Sequence, residues 1–146
     1  MASSSDVNVL REPPEPPAKL LLIEDSPLLQ SRLRYYLEAP GRIQVADIAD
    51  SAPGAMQSID RDDFDVLIVD VELKKGSGLE VIRHARSHYA ADRQPLIIVL
   101  TNYALPAVEI RCRQAGADHF LDKMRQFAEL LPLIRQWRER GGKASG

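Results

Sequence analysis

Four short apolar runs punctuate the chain, and each delivers a polar residue with chemical potential at its end. Leu20-Leu21-Leu22-Ile23 runs into Glu24-Asp25, and Val66-Leu67-Ile68-Val69 into Asp70. Leu96-Ile97-Ile98-Val99-Leu100 runs into Thr101, and Phe120-Leu121-Asp122 into Lys123. Runs of this length without polar alternation read as parallel strands buried on both faces. They predict strands over about residues 19–23, 65–69, 96–100 and 119–121, and a further strand over 42–48 with Ile43, Val45 and Ile48 pointing inward.

Helical spacing fills the gaps. Leu29, Leu33, Tyr36 and Leu37 recur on one face of a first helix that Ser26 can cap and Pro27 can open. Ala55, Met56 and Ile59 mark a second helix over 52–61. Leu79, Ile82 and Ala85 or Arg86 mark a third over 79–88, after a loop ending at Ser77-Gly78. A fourth helix opens at Pro106 and closes at Gly116, a natural left-handed cap. Phe127, Leu130, Leu131, Ile134 and Trp137 form the apolar stripe of a last helix. Pro132 conflicts with that stripe, because an interior proline removes a hydrogen bond. Either the helix starts near Leu130 or it kinks there.

Strands alternating with helices through short connections predict a doubly wound parallel sheet, with right-handed crossovers placing helices on both faces. The first and third strands, carrying Glu24-Asp25 and Asp70, are then expected side by side at the switch point, where such sheets gather ligands.

With 146 residues and a hydrophobic fraction of 45%, the chain has room for one domain with a sizeable core. Residues 1–18, with a serine run and Pro13, Pro14, Pro16 and Pro17, are expected to form a disordered arm. Residues 19–140 form the expected domain, and 141–146 a disordered tail. The net charge of -2 gives no general reason to expect nucleic-acid binding, and Arg135, Arg138 and Arg140 read as a solvated helix face. The single cysteine, Cys112, cannot form an intramolecular disulfide and is given no role. The sequence has neither a run long and apolar enough to span a bilayer nor a signal-peptide core, so a cytoplasmic protein is expected.

Glu24, Asp25 and Asp70 gather negative charge at one sheet edge. Like charges that close repel each other unless a cation neutralises them, and hard oxygen ligands at an open edge suit Mg²⁺. Strand-end acids can also simply be solvated or cap the following helices, but three on two adjacent strand ends favour the metal. A metal-bound carboxylate can act as a nucleophile toward phosphorus, and Asp70 is the better candidate, at the end of a central strand before a polar, glycine-containing loop. Thr101 and Lys123 would supply a hydroxyl and an ammonium for the phosphoryl oxygens.

The acidic pair Glu24-Asp25, Asp70 with the downstream Gly78, Thr101, and the run from Ala115 to Lys123 occur in the order seen in one family. The chain resembles a response-regulator receiver domain, CheY-like, of two-component signalling systems, over about residues 18–140. The resemblance implies a flavodoxin-like, five-stranded parallel sheet in the order 2-1-3-4-5 with five helices. It implies that Asp70 accepts a phosphoryl group from a phosphohistidine on a sensor histidine kinase or histidine phosphotransfer protein. Mg²⁺ would be held by Asp25, Asp70 and the Glu72 backbone carbonyl, with Glu24 acting mainly through water. Lys123 would pair with the phosphoryl group or the Asp70 carboxylate. Thr101 and Phe120 would form a switch in which the hydroxyl moves toward the phosphoryl group and the ring turns inward. That switch would reshape the face made by the fourth helix, fifth strand and fifth helix, for a downstream protein target or a second copy of the chain. No direct nucleic-acid or membrane partner is expected.

The chain also departs from the family pattern. Lys74 stands where proline is usual, predicting a less rigid loop, and Met124 replaces the proline after the lysine, removing an expected cis bond. Asn102 stands where a small residue is common and would narrow access to Asp70, while Glu72 and Tyr103 would control attack by water. The expectation is a stand-alone, phosphorylation-switched signalling domain rather than an enzyme. The alternatives are a pseudo-receiver that is not phosphorylated, a fragment of a larger regulator or hybrid kinase, and an aspartate-nucleophile phosphatase. The phosphatase would need its nucleophile after the first strand and a substrate cap.

Overall fold

The computed structural model describes residues 15–142; the expectations for 1–14 and 143–146 lie outside the described residues. Five strands, β1 (Ala18–Ile23), β2 (Ile43–Ala49), β3 (Val66–Val69), β4 (Leu96–Thr101) and β5 (His119–Asp122), form one parallel sheet in the order β2-β1-β3-β4-β5. Five helices connect and follow them: α1 (Pro27–Glu38), α2 (Ala52–Arg61), α3 (Gly78–His88), α4 (Pro106–Ala115) and α5 (Leu130–Glu139). This is the flavodoxin-like fold expected from the sequence.

Burial explains the unbroken apolar runs. Every residue of β3 and β4 is buried, because helices cover both sheet faces. On one face Leu21, Ile23, Leu67, Val69, Ile97 and Val99 meet Ala55 and Ile59 of α2, Ile82 of α3 and Cys112 of α4. On the other, Leu20, Leu22, Ile68 and Ile98 meet Leu33 and Leu37 of α1 and Leu130 and Ile134 of α5.

β2 runs one residue further along than the sequence suggested, and its pairing is irregular. Leu20 pairs with Val45 but Leu21 pairs with Asp47, so Ala46 is skipped. A skipped residue inverts the alternation beyond it. Ile43, Val45 and Ile48, spaced two and then three apart, therefore pack on the same side, while Ala49 joins the opposite core.

The helix ends follow their local chemistry. Ser26 Oγ accepts from the Leu29 N–H, with Pro27 opening α1. Ser77 and Glu80 form a reciprocal capping box at α3, which begins at Gly78. Gly116 takes φ 120° after α4. At the last helix a 3-10 turn spans Phe127–Glu129 and α5 begins at Leu130, so Pro132 is its third residue. The first four N–H groups of a helix have no intrahelical acceptor, so this proline removes no bond and needs no kink.

Among the described residues no helix is long and apolar enough to cross a membrane, and no peptide bond is cis, including Lys123–Met124.

Candidate functional site

The parallel strands point their carboxyl ends the same way, so Glu24-Asp25, Asp70, Thr101 and Lys123 arrive along one edge. β1 and β3 are paired, with Ile23 opposite Val69, and the Asp70 N–H extends the ladder to the Ile23 carbonyl. Lys123 leaves β5 with its N–H on the Thr101 carbonyl, and its side chain then crosses the end of β4. Lys123 Nζ lies 2.8 Å from Asp70 Oδ2 and 2.7 Å from Glu24 Oε1, bridging the ends of β3 and β1.

These charges are largely out of water: Glu24 is 2% exposed and Asp70 7%. Buried charge is tolerated only where it is paired and hydrogen-bonded. Glu24 meets both needs, since its Oε2 accepts from the Ser26 N–H while Oε1 faces the ammonium. Asp70 Oδ1 accepts from the Glu72 N–H at 3.1 Å. Burial pulls the Lys123 ammonium toward its neutral form, but the hydrogen bonds and charges of Asp70 and Glu24 outweigh it and hold its pKa above the ordinary lysine value.

Asp25 sits farther out, and its Oδ2 accepts from the Lys74 N–H at 2.8 Å. Carboxylate oxygens of Glu24, Asp25 and Asp70 all lie within 4.8 Å of one another. A set of hard oxygens beside a small open cavity fits Mg²⁺, which takes one or two carboxylates and keeps several waters. The cavity, of about 210 Å³, is lined by Glu24, Asp25, Ser26, Leu29, Asp70, Glu72, Asn102, Tyr103 and Lys123. Its volume has room for a small anion with its waters but not for a large substrate.

Thr101 and Phe120 do not line this cavity. Thr101 is fully buried, and its Oγ1 accepts from the Tyr103 N–H at 3.2 Å. Phe120 is buried within the apolar cluster shared by α2, α3 and α4. Asn102 is exposed and Tyr103 is 51% exposed at the cavity mouth.

Sequence reasoning did not assign two donors that the fold supplies. The Ser26 N–H, read only as part of a helix cap, also holds Glu24. The Lys74 N–H on Asp25 has no side-chain signature; its one sequence clue is a residue with an N–H where proline would have none.

A family model, the response regulator receiver domain, matches residues 20–135. The transcriptional regulatory protein CusR of Escherichia coli (strain K12) is 34% identical over 125 residues, covering 84% of this chain and 52% of that protein. The nitrate/nitrite response regulator protein NarP of the same organism is 32% identical over 124 residues, covering 84% and 56%. The chain spans about half the length of the curated relatives it matches. Among solved structures, the receiver domain of sensor histidine kinase PA1611 from Pseudomonas aeruginosa PAO1 superposes with a TM-score of 0.70 at 29% identity, covering 83% of this chain and 97% of that one. That crystal structure has a magnesium ion coordinated in its active site cleft. The chain belongs to the response regulator receiver domain family.

Proposed function

We propose that this receiver domain accepts a phosphoryl group on Asp70 and passes the change to a protein partner. The observation that carries the reading is the Asp70 carboxylate, 7% exposed, held against the Lys123 ammonium and opening into a cavity walled by Asp25 and Glu24. The donor is a phosphohistidine on a sensor histidine kinase or histidine phosphotransfer protein. An Asp70 carboxylate oxygen forms the new O–P bond as the N–P bond breaks, and the bonding pair returns to the imidazole nitrogen, which takes a proton from solvent. Lys123 neutralises charge on the phosphoryl oxygens.

Asp25, Asp70 and the Glu72 backbone carbonyl would hold Mg²⁺, with Glu24 acting through water. The ion supplies charge neutralisation for the phosphoryl oxygens. The water-mediated role of Glu24 agrees with its carboxylate being taken up by Lys123 and the Ser26 N–H.

Thr101 and Phe120 are the switch residues. The Thr101 hydroxyl gives up the Tyr103 N–H and turns to the phosphoryl group, so the Asn102-Tyr103 segment moves with it. Phe120 is already buried, which leaves that segment to carry more of the change. The output surface is α4, β5 and α5, and the exposed Leu105, Ile110 and Met124 on and beside those elements support apolar docking there. The partner is a downstream protein or a second copy of the chain. The phosphoryl group shifts such an equilibrium only by bonding better in one state.

Incubation with Mg²⁺ and acetyl phosphate tests the reading. The expected result is a mass gain of one phosphoryl group that disappears in Asp70→Asn. No gain, together with no spectral response to beryllofluoride, overturns it in favour of an unphosphorylated interaction module.

A further inference from the structure

A second group of metal-competent side chains stands on the α2–α3 surface, away from the acidic cavity. His84 and His88 are four residues apart on α3 and therefore share one helix face. Their rings stack, with centroids 5.9 Å apart and planes 13° from parallel. Both face the same atom of the neighbouring helix: Asp60 Oδ1 lies 2.7 Å from His84 Nε2 and 3.5 Å from His88 Nδ1.

We propose that Asp60, His84 and His88 form a binding site for a divalent transition ion of the Zn²⁺ class. In a tetrahedral zinc site with ligand bonds of about 2.0–2.1 Å, neighbouring ligand atoms stand about 3.3 Å apart. The two distances to Asp60 Oδ1 bracket that edge, and all three ligand atoms lie within 4.8 Å of one another. Small side-chain rotations close the remaining gap. Two imidazoles and one carboxylate are ligands that zinc, copper and nickel accept, whereas Mg²⁺ selects oxygen. The chemistry thus separates this site from the acidic cavity. Three protein ligands leave a coordination position for water.

The supporting structure is well packed. Ile59 precedes Asp60 and is fully buried, as are Ile82 and Ala85 on the inner side of α3. The Tyr89 hydroxyl, one residue past α3, donates to the Asp62 carbonyl just beyond α2. This bond holds the C-terminal ends of the two helices together. α3 starts beside the Asp70 loop and runs back toward the N-terminal edge of the sheet, so its second half, with His84 and His88, lies remote from Asp70. A bound ion would staple α2 to α3 there.

Calorimetric titration of the full chain with Zn²⁺, under saturating Mg²⁺, tests the site. One Zn²⁺ per chain is expected, with affinity reduced roughly tenfold or more in His88→Ala and in Asp60→Asn. Asp25→Asn should leave it unchanged. Zn²⁺ should also raise the melting temperature of the wild-type chain but not of His88→Ala, since an ion bound only to the folded state stabilises it by mass action. His88 and Asp60 are exposed, so these variants fold, and circular dichroism verifies it. Absence of binding overturns the proposal. So does binding that survives His88→Ala and vanishes in Asp25→Asn, which would put the ion among the acids. Neither failure touches the phosphoryl reading, which is scored by the Asp70 mass gain.

Discussion

The backbone N–H of Lys74 donates to Asp25 Oδ2 over 2.8 Å, tying the loop after β3 to the acidic pair after β1. A proline here, as the family pattern usually has, would leave that carboxylate oxygen without this donor. A donor on a carboxylate competes with a cation for the same lone pairs. Lys74→Pro is therefore expected to tighten Mg²⁺ binding by roughly threefold, about 0.7 kcal/mol, within the range of one hydrogen bond. Lys74→Ala keeps the N–H and is expected to bind Mg²⁺ as the wild type does. Titration of both variants by fluorescence or calorimetry separates the backbone effect from the side-chain charge.

Lys123 bridges two buried carboxylates, so its removal leaves Glu24 and Asp70 facing each other without that cation. Breaking a buried ion pair in this way costs about 3–5 kcal/mol. Lys123→Met is expected to lose stability on that scale in urea unfolding without divalent ions. Adding Mg²⁺ should recover a substantial part of the loss by neutralising the same charges. A loss insensitive to Mg²⁺ would mean that the lysine acts through packing alone.

The sheet and its polar edge were legible because both depend on side-chain type at short range. Uninterrupted apolar runs mark β1, β3 and β4, and Ser26-Pro27 and Pro106 mark helix starts. What escaped depends on backbone or on distant contacts. The skipped Ala46 in β2 shows only as the uneven spacing of Ile43, Val45 and Ile48. The place of Pro132 depends on a 3-10 turn that delays α5 to Leu130. The direction of the Thr101 hydroxyl depends on the path of Asn102-Tyr103, and the meeting of Asp60 with His84 spans 24 residues and needs α2 packed on α3. Residue types place chemistry on an edge, but turns and packing decide which oxygen takes which donor.

Tyr103 stands half exposed at the mouth of the cavity over Asp70. On the proposed reading its ring would limit the approach of water to a phosphorylated Asp70, so dephosphorylation is expected to be slow. Tyr103→Ala should shorten the phosphoaspartate lifetime by roughly threefold, about 0.7 kcal/mol in the barrier. The decay of intact mass after removal of acetyl phosphate measures it. A lifetime in Tyr103→Ala as long as that of the wild type sinks the idea.

Cys112 is wholly buried on the inner face of α4. Burial first, and the nearby Glu109 charge second, push its thiol pKa up to about 11. The thiolate is the reactive species, and an ordinary thiol ionises near pH 8.5. At pH 8 the native chain is therefore expected to react with iodoacetamide at least about a hundredfold more slowly than the urea-unfolded chain. Reaction at comparable rates would show that α4 opens readily in the native state.

Gly78 carries the closest backbone approach beside the site. A Cβ placed there would lie 2.4 Å from the Asp70 carbonyl oxygen, 2.8 Å from Val69 Cγ1 and 2.9 Å from Val71 Cα. Two of these three atoms are backbone, and both belong to the segment that aims the Asp70 carboxylate, so neither can retreat without moving it. The Gly78 N–H also donates to the Val71 carbonyl, holding the loop closed on itself. Gly78→Ala is expected to destabilise the fold by about 2–3 kcal/mol, the scale of overpacking, and to weaken Mg²⁺ binding at the same time. Gly54 in α2 supplies the control. A Cβ there meets only Ser51 Oγ at 3.1 Å and the Ala49 Cβ at 3.9 Å. Alanine is worth up to about 1 kcal/mol over glycine within a helix, so Gly54→Ala should hold or gain stability and leave Mg²⁺ binding unchanged. Urea unfolding and Mg²⁺ titration of the two variants decide the matter: equal losses of stability in both would mean that the crowding around Asp70 is not what requires glycine at position 78.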